Sequence, residues 1–227
     1  MTNKEILNEF NLLYDNINSD VAPGLDSFEI SQFLTKVQND TVQGFYSGEN
    51  PYGEAFEQNT ELSKDLDVLV KSYTVSTELQ TGSKICNKSH LFQLPDDVWF
   101  IVFEQAQIKS TGTHLDNKNL LVVPVSHDQV FKQLDNPFKG PSDDRILRID
   151  SMNGGIAELI SNYPVNSYFI RYVRHPKPIL LDDYSSRGLS IEGIQAGDPT
   201  NPCELELSMQ HFIIEKAAEL AKTVYQA

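Results

Sequence analysis

The spacing of apolar residues changes twice along this chain, and those two changes limit the folds open to it. In "EILNEFNLLYDNIN", residues 5–18, Ile6, Phe10, Leu13 and Ile17 recur at helical spacing, with Leu7 and Tyr14 beside them. "APGLDSFE" then interrupts the pattern, and Pro23-Gly24 is turn punctuation. Asp26 suits the N-cap of a second helix, with Glu29 at N3 where it can reach back. That helix is expected to run to about Tyr46, with Ile30, Phe33, Leu34, Val37 and Phe45 on one side, and "SGENPYGE" ends it. A third helix is expected from about Thr60, carrying Leu62, Leu66, Leu69 and Val70.

After Ser72 the pattern becomes that of strands. "YTVSTEL" alternates, and "DVWFIVFEQAQI" is rich in aromatic and β-branched residues. "NLLVVPVS" is a further strand, which Pro124 assigns to an edge or a bulge. "SHDQVFKQLDNP" reads as a short helix, capped by Ser126 with Gln129 three residues on and stopped by Pro137. "RILRIDS", "GIAELIS" and "SYFIRYVR" suggest an antiparallel meander, its first turn made by "MNGG". "PILLDD" is a candidate fourth pairing segment. Beyond Pro202 the helical period returns, with Leu205, Met209, Phe212, Ile213, Ala217, Leu220 and Val224 in a stripe that suits a core better than a cofactor.

The expected class is α+β: N-terminal helices, a central, mostly antiparallel β-sheet region with a short helix, and a C-terminal helix. No repeat, low-complexity tract or long linker divides the 227 residues, so one domain is expected. Within it, 1–72 would be helical, 73–183 mainly β, 184–202 a loop and 203–227 the last helix.

Thirty-two Asp and Glu against eighteen Lys and Arg leave a net charge of −14. Such a chain is unsuited to wrapping nucleic acid, which needs clustered cations. The acidity serves solubility, and it also suits a surface along which DNA passes without sticking. No apolar run approaches the roughly 20 residues that span a bilayer, so no membrane partner is expected. "MTNKEILNEF" lacks the pattern of a signal peptide, so synthesis in the cytosol is expected.

No catalytic, metal or cofactor site is expected. Cys86 and Cys203 form no disulfide framework or metal motif and read as reduced thiols. Ser126-His127-Asp128 holds the residue types of a hydrolase triad, but consecutive residues cannot converge as one. The histidines at 90, 114, 127, 175 and 211 lie outside any zinc motif. The acid pairs Asp96-Asp97, Asp143-Asp144 and Asp182-Asp183 read as solvated turns rather than dyads. The glycines of "RGLSIEGIQAGD" match neither a dinucleotide fingerprint nor a phosphate loop. Arg171, Arg174, His175 and Lys177 form a small basic cluster within "YVRHPKPILLDD". It is either a solvated strand end or a docking point for an acidic partner surface.

Four collinear segments carry a resemblance to a known family. "LLYDNINSDVAPGLDSFEISQFLTKVQNDTVQGFYSG" joins a helix end to "APGLD" and a second helix. "EAFEQNTELSKDLDVLVK" follows, then "DNPFKGPSDDRILRID", with an "NPF" turn before a strand. Last, "YFIRYVRHPKPILLDD" runs through "GLSIEGI" to "CELELSMQHFIIEKAAELAK". In order and spacing these resemble the tail ring, or head-to-tail connector, proteins of crAss-like bacteriophages. "LSMQHF" and "KGP" depart from the usual form of the pattern.

The resemblance implies a non-enzymatic virion subunit at the tail or head-to-tail junction, made in the cytoplasm of a bacterial host. Copies of the chain would close a dodecameric ring, stacked on the portal protein or other ring proteins. Genomic DNA would pass through the lumen without specific binding. Two alternatives stand beside it: an adaptor or plug whose 184–202 loop gates cargo, and a soluble enzyme. On this view "YVRHPKPILLDD" positions backbone, because each Pro fixes φ and removes a donor.

Overall fold

The structure, a computed structural model, describes residues 1–15, 24–48, 64, 66–82, 84–109, 116–150, 155–200 and 202–225. In chain order the elements are α1 (Asn3–Asp15), α2 (Ser27–Ser47), β1 (Val70–Val75), β2 (Ser89–Gln93), β3 (Val98–Ile108), β4 (Asn119–Pro124), α3 (Val130–Leu134), β5 (Arg145–Asp150), β6 (Ile156–Ile160), β7 (Val165–Arg174) and α4 (Leu207–Tyr225). Short 3-10 turns lie at Asp67–Leu69 and Ser185–Arg187. The expected α+β class is borne out. The chain divides into two compact units, one of Met1–Leu69 with His175–Ala227 and the other of Val70–Arg174. They are called here the helical unit and the β unit.

In the helical unit, α1 buries Ile6, Phe10 and Tyr14, one face of the expected stripe. Residues 16–18 of that expectation lie outside the described residues. α2 begins as its sequence predicts: the Asp26 side chain accepts from the backbone N–H of Glu29 and the Glu29 side chain accepts from Asp26 N–H at 3.0 Å, a closed capping box, and Asp26 also accepts from Ser27 N–H at 2.8 Å. Gly48 ends α2 in the left-handed conformation at φ 82°, where a Cβ would be strained. α4 starts at Leu207 rather than at residue 203, because Cys203 and Leu205 are buried ahead of it in non-helical backbone. It packs Met209, Ile213, Ala217 and Ala221 inward. Most of the expected third helix falls outside the described residues. At its far end Leu69 closes a 3-10 turn and Val70 already opens β1.

The β unit is a seven-stranded sheet in the order β1-β7-β3-β4-β5-β6-β2. Five of its six neighbour pairings are antiparallel; β4 and β5 are parallel. Leu79 N–H, just past edge strand β1, donates to Leu91 O of the other edge strand, β2, at 2.8 Å. The sheet therefore curls until its edges meet, and Val75, Phe92, Ala106, Leu120, Ile146, Leu159 and Ile170 from all seven strands share one core. α3 covers part of the opposite face, over Leu147, Ile149 and Ile160.

Four expectations are corrected here. The meander fails at its last step, because β7 pairs with β1 and β3 and not with β6. Pro124 lies on a central strand, but at its final residue, past Leu121 where the pairing with β3 has stopped. The missing donor of Pro124 therefore breaks no ladder. Ser126 does not cap α3 with its side chain; Gln129 occupies the cap position with no side-chain bond, and Ser126 offers only its carbonyl to Gln129 N–H. "PILLDD" is not a strand. "MNGG" lies outside the described residues.

Candidate functional site

"HPKPILLDD" runs as an extended strap through the helical unit, and its backbone is bonded to side chains instead of to a neighbouring strand. Ser31, Thr35 and Gln38 stand on one stripe of α2. Ser31 Oγ accepts from Leu181 N–H at 3.1 Å. Thr35 Oγ1 accepts from Ile179 N–H at 3.0 Å, and Gln38 Nε2 donates to Lys177 O at 2.9 Å. The spacing explains the match. Seven helical residues rise about 10.5 Å, and four extended residues span about 13 Å. Three polar side chains at i, i+4 and i+7 thus reach every second residue of a strap running the opposite way. All three are buried, so these bonds supply what a sheet ladder supplies elsewhere.

The far side of the strap is fixed as well. Asn3 Nδ2 donates to Leu181 O at 2.8 Å, and Lys177 N–H donates to Glu204 Oε2 at 3.1 Å. A Cβ on Gly197 would lie 2.4 Å from Leu180 O, so only glycine fits where the 184–202 segment crosses the strap. Tyr184 N–H donates to Gln195 O at 2.7 Å, Ile191 and Ile194 bridge, and Arg187 pairs with Asp26 at 2.8 Å. The segment expected as a loop is thereby tied down at several points. Cys203 Sγ lies 3.5 Å from Gln38 Oε1, and burial pushes its thiol up to about 11, away from reactivity.

The four residues of the basic cluster divide between the units. Arg171 and Arg174 end β7, and their odd spacing sends them to opposite faces of the strand. Arg171 is exposed beside Phe103 in register. His175 and Lys177 belong to the helical unit. Lys177 lies 3.6 Å from Glu204.

In the β unit, a charged group that the sequence reading passed over lies inside the curled sheet. Arg148 Nε is 2.9 Å from Glu104 Oε2, Tyr168 OH donates to the same oxygen at 2.6 Å, and Arg148 also pairs with Asp150. Burial raises the pKa of Glu104, with Arg148 and Tyr168 opposing it. Burial, then the charge of Glu104, raises that of Tyr168. The signal was present as charged residues at inward positions of apolar strands, "FEQ" and "LRI". The group is saturated by its own members and locks three strands together.

Clefts are present among the described residues. One of about 240 Å³ lies along the strap between Lys177, Leu180, Ile194 and Glu204. One of about 480 Å³ in the β unit is lined by Cys86, Lys88, Leu134, Asn136 and Asn162. Neither sets a nucleophile against a base, and no cluster of metal-ligating side chains occurs among the described residues. Among the described residues, no helix is long and apolar enough to cross a membrane.

What these two units present is fixed backbone, held by α2 side chains in the helical unit and by strand pairing in the β unit. Residues 1–227 match the family model described as phage tail ring protein 3/4. The chain belongs to that family. It is 39% identical over 223 residues to "Ring protein 3" of Bacteroides phage crAss001, covering 97% of this chain and 95% of that one. It is 32% identical over 235 residues to "Ring protein 4/5" of the same phage, covering 100% and 94%. The resemblance read from the four segments is borne out. The protein is a structural ring component of the phage tail, not an enzyme.

Proposed function

We propose that copies of this chain close a dodecameric ring in the head-to-tail connector, stacked coaxially with the portal or with other ring proteins, and that the ring forms part of the channel through which the genome leaves. The observation that carries this reading is the match to a tail ring family from the first residue to the last, shared with relatives of nearly equal length. The mechanism is geometric. One contact repeated head to tail closes when its rotation divides a full turn. The net charge of −14 on each copy, multiplied around a ring, supports a lumen that does not hold DNA. The plug alternative called for a free 184–202 segment; its hydrogen bonds and the Gly197 contact favour a fixed one.

The test mixes the full chain with its cognate portal and with each of the other tail ring proteins. Native mass and electron-microscopic class averages are then recorded. A closed ring of twelve copies bound to one of them is expected. Failure to form a ring with any of them, or a lumen lined by Lys and Arg, overturns the reading.

A further inference from the structure

The charge of this chain is divided sharply between its two units. The β unit, Val70–Arg174, holds eleven Lys and Arg against eleven Asp and Glu and is neutral. The helical unit holds seven against twenty-one, and so carries the whole excess of −14.

The β unit also exposes an apolar wall. On the outer face of β1, β7, β3 and β4 one row across the strands is Thr74, Phe169, Gln105 and Leu121. The next is Ser72, Arg171 and Phe103. Phe103 is 44% exposed and Leu121 56%, and the Phe103 and Phe169 rings meet edge to face with centroids 6.2 Å apart. Arg145, beside Leu121 in register, donates to Phe138 O at 2.6 Å and Gly140 O at 3.2 Å. Phe138, whose carbonyl it holds, is 89% exposed. The outward positions of these four strands include no Asp or Glu, in a chain that has thirty-two.

Exposed aromatic residues beside an arginine are the composition of an interface centre. A head-to-tail ring requires each copy to present two different surfaces. Setting one helical unit against another would oppose two bodies of −14, which like-charge repulsion disfavours. The neutral wall, with Arg171 on it, complements an acidic surface and does not repel one.

We propose that the Phe103–Phe169–Leu121 wall with Arg171 is the surface by which each copy docks onto the acidic helical unit of the next copy in the ring. This rests on the ring reading above.

The test places the photoreactive residue p-benzoylphenylalanine at 103 in the full chain, expressed with the other tail proteins. Isotopically labelled and unlabelled copies are mixed, so that links between copies are told from links within one. The expected result is a link from 103 of one copy to a peptide within residues 1–69 or 175–227 of another. Links to the β unit of another copy, or to a different tail protein, overturn the proposal while leaving the ring intact. If no ring forms with any tail protein, the ring reading itself falls, and this proposal with it. A second measurement uses Leu121→Glu and Arg171→Glu. Leu121→Glu is expected to cut the assembled fraction about tenfold or more while the monomer melts as before. Arg171→Glu is expected to slow assembly, with Arg171→Lys restoring most of it, and the wild-type rate is expected to fall as salt is raised. Assembly indifferent to both Leu121→Glu and Arg171→Glu overturns the wall as the contact.

Discussion

The helical unit and the β unit solve the same problem, buried backbone, by opposite means. In the β unit, strands satisfy one another and the Arg148–Glu104 ion pair is sealed inside with its partners supplied. In the helical unit, an extended strap has no strand beside it, and three side chains of α2 take the place of one. The charge follows the same division: neutral where paired strands present their outer face, −14 where helices and strap are joined by side chains. The contrast teaches that rigidity and surface character can be assigned separately within one chain. A regular ladder leaves its outer positions free to be apolar. A strap bonded by side chains uses those side chains up.

The largest expected effect falls in the β unit. Arg148→Met leaves the Glu104 carboxylate buried without its cation and should cost about 3–5 kcal/mol in chemical denaturation. Because the folded pKa of Glu104 is raised above its unfolded value, its contribution is fully present below the unfolded pKa and is lost as pH rises through the folded one. The Arg148→Met penalty should therefore shrink toward low pH, where Glu104 takes up a proton. A penalty independent of pH would mean that Glu104 is not the group left exposed to the loss.

In the helical unit the expected losses are smaller and spread out. Gly197→Ala puts a Cβ 2.4 Å from Leu180 O, and the forced shift should cost about 1–3 kcal/mol in the same assay. Thr35→Val keeps the shape but orphans the Ile179 N–H, at about 1–2 kcal/mol, and hydrogen exchange at Ile179 should accelerate. Unchanged exchange there would break the comparison, since the strap would not depend on α2. The smallest effect is at Asp26, whose carboxyl is held below the usual range by Arg187 and then by Ser27. Its contribution is present above the unfolded pKa and is lost as pH falls through the lowered folded one. Melting followed against pH should show a small acid-side step that Asp26→Asn removes.

How much of this was legible beforehand depended on whether the signal was local. Capping at Asp26, the stripes of α1 and α4, and the cores of β3, β5 and β7 are written in adjacent residues. β2 was missed because "SHLFQ" is short, carries His90 and Gln93, and lacks the punctuation that marks a strand. The parallel pairing of β4 with β5 and the placing of β7 between β1 and β3 are long-range choices that no local period encodes. "PILL" is an apolar run that fits a buried strap as well as a strand; only the Ser31, Thr35 and Gln38 stripe decides between them, and polar residues at helical spacing read as a solvated face. Arg171 was legible as a surface cation with Phe169 two residues before it, but its other aromatic neighbour, Phe103, comes from β3, far away in sequence.

The most direct measurement is a rotationally averaged electron-microscopic reconstruction of the intact phage tail, at a resolution where the two units can be placed. A closed ring of copies of this chain is expected, with the Phe103–Leu121 wall of each buried against the helical unit of its neighbour. Copies that meet through their helical units with that wall left open to solvent, or a tail without a ring of this chain, would contradict it.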